Sequence, residues 1–176
     1  STKNHIHPID LKIIAKAIRK NTGMLYAINL SGNQQLNGDS NTMNRNDTSG
    51  VKDLFESITA CNTIYSLNVS NTDIFANVVS DEDRTIAISL YTSLHPNTNS
   101  SLTTLIVSNT HINDITMKYL SNAIGINSSL LHLNISSNLC TTINSSGNGN
   151  DHHSVGEIFG NYLLNGRLIS PLGVMK

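Results

Sequence analysis

The sequence predicts an α/β fold of repeated strand–turn–helix units, with parallel strands on one side of the core and helices on the other. Two observations lead to this prediction. One short apolar pattern recurs along the chain, and apolar pairs four residues apart stand in the segments between its copies. The pattern is typical of short strands, and the pairs are typical of one face of a helix. A length of 176 residues suits a single domain, 1–176, or one segment of a longer repeat protein.

The strand pattern has apolar residues at its first, fourth and sixth positions. Four copies begin at Leu25, Ile64, Leu102 and Leu130. Three residues after the sixth position, each copy has a short polar side chain: Asn33, Thr72, Thr110 and Asn138. Such a side chain can satisfy buried backbone groups where the chain turns away, so we expect it to hold the turn. A fifth copy, beginning at Ile169, forms an incomplete last repeat.

The segments between the strands predict helices. Apolar pairs precede the next strand copy by ten and six residues in three repeats: Leu54 with Ile58, Leu120 with Ile124, and Phe159 with Leu163. Before the first strand, residues 8–24 predict an N-terminal capping helix, with Ile14, Ala17 and Ile18 facing inward. Its basic residues are Lys12, Lys16, Arg19 and Lys20. They form either a solvated face or a contact surface for an anionic partner.

The Leu-x-x-Leu-x-Val strands and the 28-residue step from Leu102 to Leu130 resemble the ribonuclease-inhibitor-like class of leucine-rich repeats. The resemblance implies a right-handed horseshoe solenoid with parallel strands on the concave side and helices on the convex side. It also implies a non-enzymatic module that binds proteins. The helix-first layout looks like the repeat domain of tropomodulins, which cap actin filaments. Regulators of GTPases belong to the same wider group.

Three of the repeats are longer than the 28-residue step, at 38 or 39 residues. Two insertions predict polar loops, 37–50 and 141–154, and a third is split between 75–83 and 95–101. Pro96 predicts the end of a helix near Leu94. Because the insertions follow a strand and precede a helix, we expect them to cluster on one rim, which could bind a partner. Alternatively, they are low-complexity expansions of a chain in which 63 residues are Asn, Ser or Thr.

The concave face supplies the candidate binding residues. Side chains at the third, fifth and seventh pattern positions point away from the helices. With the flanking Tyr65, the predicted partner-binding set is Asn29, Ser31, Tyr65, Ser66, Asn68, Ser70, Thr104, Ile106, Ser108, His132, Asn134 and Ser136. This face is uncharged, and we expect the Tyr65 ring to lie near Asn29 and Asn68, where contacts gather.

Composition narrows the classes of partner. The net charge of −1 argues against nucleic acid and anionic membranes as partners. No apolar run approaches the roughly 20 residues that span a bilayer. The free cysteines and the lack of a signal-peptide pattern predict an intracellular, cytoplasmic location.

The sequence predicts neither an enzyme nor a metal or cofactor site. The seven histidines do not follow the spacing of a structural zinc site, and phosphate-binding glycine loops are missing. One rival hypothesis gives chemistry to Asp151, His152 and His153 in an insertion loop. Another makes the chain a structural subunit, held in a larger assembly by the open edge of its last strand.

Overall fold

A computed structural model describes residues 5–21, 23, 25–36, 47–76, 78, 85–98, 101–138 and 159–160. Within these ranges four helices alternate with four strands. In chain order they are α1 (Pro8–Lys20), β1 (Ala27–Asn29), α2 (Ser49–Ala60), β2 (Ser66–Asn68), α3 (Thr85–Leu94), β3 (Thr104–Ile106), α4 (Asp114–Ile126) and β4 (His132–Asn134). The strands form one parallel sheet in the order β1-β2-β3-β4. The predicted α/β class is thus confirmed.

Equivalent positions of the strand pattern lie side by side in the sheet. Leu67 at the fourth position of β2 pairs with Ile28 of β1 and Leu105 of β3. All three side chains are buried in one cluster together with apolar residues of the helices, such as Leu54 and Leu90. The helices therefore cover one face of the sheet, and the opposite face carries the third and fifth positions.

The short polar residue after each strand holds the turn, as the sequence predicts. The side chains of Asn33, Thr72, Thr110 and Asn138 are all buried. Each donates a hydrogen bond, at 2.7–2.8 Å, to the carbonyl oxygen of the residue three positions earlier. The residue before each of them has a positive φ, and these residues are Gly32, Asn71, Asn109 and Ser137. The chain thus leaves every strand through the same left-handed turn.

The helix α1 covers the N-terminal end of the repeats but is shorter than predicted. It ends at Lys20 and not at residue 24, because Asn21 is extended and Gly23 has a φ of +113°. Its buried side chains are those of Leu11, Ala15 and Ile18. The prediction that Ala17 faces inward is wrong, because the buried stripe passes through Ala15 and leaves Ala17 exposed.

A close contact joins α1 to α2. A Cβ atom at Gly50 would clash with the carbonyl oxygen of Pro8 and would lie 3.1 Å from the Cβ of Leu11. Beside this contact, Lys12 Nζ lies 3.2 Å from Asp47 Oδ2. A hydrogen bond from the Ser49 hydroxyl, supported by Lys12, lowers the pKa of Asp47. The predicted loop 37–50 overlaps the first two residues of α2, because this helix begins at Ser49.

The split insertion also contributes to the core. Phe75 and Val78 are fully buried, and the Phe75 ring stacks on Phe55 with centroids 6.1 Å apart. The helix α3 ends at Leu94, directly before His95 and Pro96, as predicted. Since residues 95–98 follow α3, this part of the insertion does not precede a helix, contrary to the idea of a single rim. Four parts of the prediction lie outside the described residues. They are the polar stretch 141–154, the second cysteine (Cys140), the helix residue Leu163 that was paired with Phe159, and the repeat from Ile169.

Candidate functional site

The face of the sheet opposite the helices presents regular columns of side chains. We call the second, third, fifth and seventh positions of the four repeats the strand face. The register aligns Ala27, Ser66, Thr104 and His132 in one column and Asn29, Asn68, Ile106 and Asn134 in another. These side chains are half-buried or exposed. The strand register agrees with the columns that the sequence pattern predicted. The role of these side chains in binding stays a prediction.

The asparagines of the fifth position shape the turn after the strand. The Oδ1 of Asn68 accepts a hydrogen bond from the backbone N–H of Ser70 at 2.9 Å. The Oδ1 atoms of Asn29 and Asn134 make the same contact two residues ahead, at 3.0 Å. This local hydrogen bond is typical of an Asx turn. The carbonyl half of each amide therefore accepts a hydrogen bond within the chain, and the NH₂ half can donate a further one.

The seventh-position serines do not form a continuous exposed column. Ser70 is buried, Ser31 and Ser108 are half-buried, and Ser136 is exposed. Burial takes Ser70 out of the accessible part of the predicted binding set. At the third and fifth positions, in contrast, every side chain is half-buried or exposed.

Two tyrosines form an exposed stacked pair at the N-terminal border of the strand face. The rings of Tyr26 and Tyr65 stack with centroids 6.0 Å apart and an interplanar angle of 28°. Tyr26 is 51% exposed and Tyr65 is 49% exposed. The sequence prediction placed Tyr65 beside Asn29 and Asn68 and missed Tyr26, although both tyrosines occupy the second position of their repeats. Comparing that position between repeats would have found the pair.

The backbone holds this second-position column in place. The N–H of Tyr65 donates to the carbonyl oxygen of Tyr26, and the N–H of Thr103 donates to that of Tyr65, both at 2.9 Å. The N–H of Leu131 donates to the carbonyl oxygen of Thr103 at 2.8 Å. Leu131 is 74% exposed. A fixed row with two aromatic rings at one end and a leucine at the other thus borders the polar columns.

The strand face carries no Asp, Glu, Lys or Arg at any of its sixteen positions. Among the residues that the structure describes, no three His, Cys, Asp or Glu side chains come together in a way that could hold a metal ion. None of the described helices has the length and apolar character needed to cross a membrane. Asp151, His152 and His153 are outside the described residues. The arrangement offers surface contact and hydrogen bonding.

No protein-family model matches the sequence, and no curated protein is similar enough to match it. Among solved structures, the chain is similar to one from Caenorhabditis elegans described as a tropomodulin C-terminal domain. The two share 17% sequence identity over 90% of this chain and 93% of that chain, with a TM-score of 0.45.

Proposed function

We propose that this chain is a non-enzymatic repeat module that binds a protein partner through its strand face. The observation that carries the proposal is the stacked, half-exposed pair of Tyr26 and Tyr65. Tyrosine is enriched among the residues that dominate binding energy at protein interfaces, because a rigid ring buries a large area with little loss of entropy. The pair supplies the only Phe, Tyr or Trp side chains among the sixteen positions of this face, so we expect it to be the main anchor.

The rest of the strand face suits an uncharged contact. The NH₂ groups of Asn29, Asn68 and Asn134 can donate hydrogen bonds, and Ile106 and Leu131 add apolar area. Four strands spaced about 4.8 Å apart give a row about 14 Å across. Nucleic acid is disfavoured, since the face has no Lys or Arg to neutralise phosphates. A protein segment rich in uncharged side chains fits this surface best.

We infer further that the repeats belong to a right-handed leucine-rich-repeat solenoid of horseshoe shape. The even parallel register of β1 to β4 supports this inference, as do the identical turns and the helix between each pair of strands. Connections between neighbouring parallel strands are right-handed in nearly all proteins. In such a solenoid the strand face is the concave side.

A capture experiment tests the proposed binding surface. The chain is immobilised, exposed to a cell lysate, and compared with Tyr65→Ala and with the double change Asn68→Arg and Asn134→Arg. We expect Tyr65→Ala to weaken binding of the partner by about thirtyfold, the effect of losing an anchor worth about 2 kcal/mol. The matched control is Thr92→Arg, which adds a charge on the exposed side of α3.

The pattern of losses decides the outcome. A partner that binds the wild type and Thr92→Arg but neither strand-face variant supports the proposal. A partner retained by both strand-face variants contradicts it and moves the contact to the insertion loops or the last strand. Circular dichroism spectra that match the wild type confirm that each variant is folded.

A further inference from the structure

The outer side of α1 carries a stripe of exposed side chains. Ile9 is 60% exposed and Ile13 is 63% exposed, and Lys16 and Lys20 continue the stripe as exposed residues. Spacings of four, three and four residues bring the four side chains onto one line of the helix, opposite the buried Leu11. We call Ile9, Ile13, Lys16 and Lys20 the α1 stripe.

The basic residues of α1 fall into two groups. Lys12 and Arg19 form ion pairs with acidic residues in or just before α2, at 3.2 Å and 3.4 Å. Lys16 and Lys20 form no ion pair with any residue in the described ranges. Two of the four basic residues of α1 thus pair with acidic residues at α2, and the other two lie on the α1 stripe.

The helix dipole explains only part of this arrangement. Lysines near the C-terminal end of a helix complement its negative end and need no partner for that role. The dipole does not account for Ile9 and Ile13, because the outward face of a surface helix is ordinarily polar. Ile9 and Ile13 are each more than half exposed, and Lys16 and Lys20 on the same line form no ion pair with the part of the chain that the structure describes. Together they indicate a binding surface of mixed character.

We propose that the α1 stripe binds an acidic amphipathic helix of a partner protein. Apolar side chains of that helix cover Ile9 and Ile13, and its Asp or Glu residues, at the same spacing of three and four, pair with Lys16 and Lys20. The stripe also sets the alignment, since the apolar half of the partner must lie toward the N-terminal end of α1. This surface is separate from the strand face and does not depend on the proposal made for it.

An anionic membrane is the main alternative to an acidic helix as a partner for the exposed lysines. Binding to a membrane interface needs a continuous apolar face that enters the lipid, together with several basic residues. Here the face of α1 opposite the stripe is packed in the protein core, and the stripe offers two isoleucines and two lysines. An acidic helix matches this small, ordered pattern better.

Fluorescence anisotropy with a labelled synthetic peptide tests the proposal on the full 176-residue chain. The peptide is helical, as long as α1, and carries two leucines followed by two glutamates in the spacing of the stripe. Its twin has lysines in place of the glutamates. We expect the chain to bind the acidic peptide about tenfold more tightly, the difference that two exposed ion pairs make.

Variants of the stripe sharpen the test. The double change Lys16→Glu and Lys20→Glu should invert the preference between the two peptides, whereas Lys118→Glu, at an exposed lysine of α4, should leave it unchanged. The double change Ile9→Gln and Ile13→Gln should weaken the binding of both peptides without changing the preference between them. These four positions are exposed, so the variants should keep the circular dichroism spectrum of the wild type.

Two results would overturn the proposal. One is equal binding, or no binding, of the acidic and basic peptides. The other is sedimentation of the chain with phosphatidylserine-containing vesicles that is lost in the lysine variants, without any preference between the peptides. That second result would assign the stripe to a lipid surface.

Discussion

Asn138→Ala should lower the free energy of unfolding by about 3 kcal/mol, because it removes several buried hydrogen bonds at once. The Oδ1 of Asn138 accepts from the backbone N–H groups of Thr110 and Ile112, at 2.8 Å and 3.1 Å. Its Nδ2 donates to the carbonyl oxygens of Val107 and Ile135, both at 2.8 Å. The side chain is 3% exposed, so water cannot replace these bonds without opening the turn. Denaturant unfolding measures the loss.

The matched control for this change is Asn134→Ala in the same repeat. Asn134 is exposed, and its Oδ1 bonds only to Ser136 among the described residues. We expect this variant to lose less than about 1 kcal/mol. Equal losses in the two variants would contradict the claim that the buried hydrogen bonds of Asn138 stabilise the fold.

Phe75→Ala should destabilise the chain by about 3–5 kcal/mol, since it leaves a cavity the size of a phenyl ring in the core. Phe75 is fully buried and stacks on Phe55 of α2. Phe75→Leu keeps most of the volume and should lose less than about 1.5 kcal/mol. Urea titration of both variants checks the difference. If Phe75→Ala unfolds at the same denaturant concentration as the wild type, residue 75 belongs to a surface insertion and not to the core.

The strands and turns could be predicted from the sequence because the same pattern of apolar and polar positions recurs in each repeat, although the repeats differ in length. Burial of the first, fourth and sixth positions requires the same side of each strand to face the helices, which fixes the register at Leu67 and its neighbours. The turn residues follow from the same repetition, since each buried turn needs a short polar side chain. Thr72 donates through its hydroxyl group, whereas Asn138 donates through its side-chain amide.

The features that the sequence reasoning missed depend on contacts between distant segments. Gly50 looks like a loop residue next to a polar stretch, and only the approach of Pro8 shows why a side chain does not fit there. Phe75 stands at the start of an insertion, and its burial depends on Phe55 of the preceding helix. Comparison of single positions within one repeat cannot reveal either contact.

The side-chain columns of the candidate site could be predicted from the sequence, but the stacked tyrosine pair was not predicted. The columns containing Asn68 and Thr104 follow from strand alternation. The amide oxygen of Asn68 bonds to the next turn, and the burial of Ser70 removes it from the accessible face. The stacked pair of Tyr26 and Tyr65 is visible only when neighbouring repeats are placed side by side. The polar columns could therefore be predicted from the residue pattern of single repeats. The stacked tyrosine pair depends on how neighbouring strands pair.

The central claim is that the strand face makes the contact with a partner, and site-specific photo-crosslinking tests it most directly. Benzoylphenylalanine is placed at position 65 or, as the control, at the exposed Thr92 of α3, and each chain is irradiated with the captured partner. We expect a covalent adduct from position 65 and none from position 92. An adduct from position 92 alone would place the partner on the helix layer and contradict the claim.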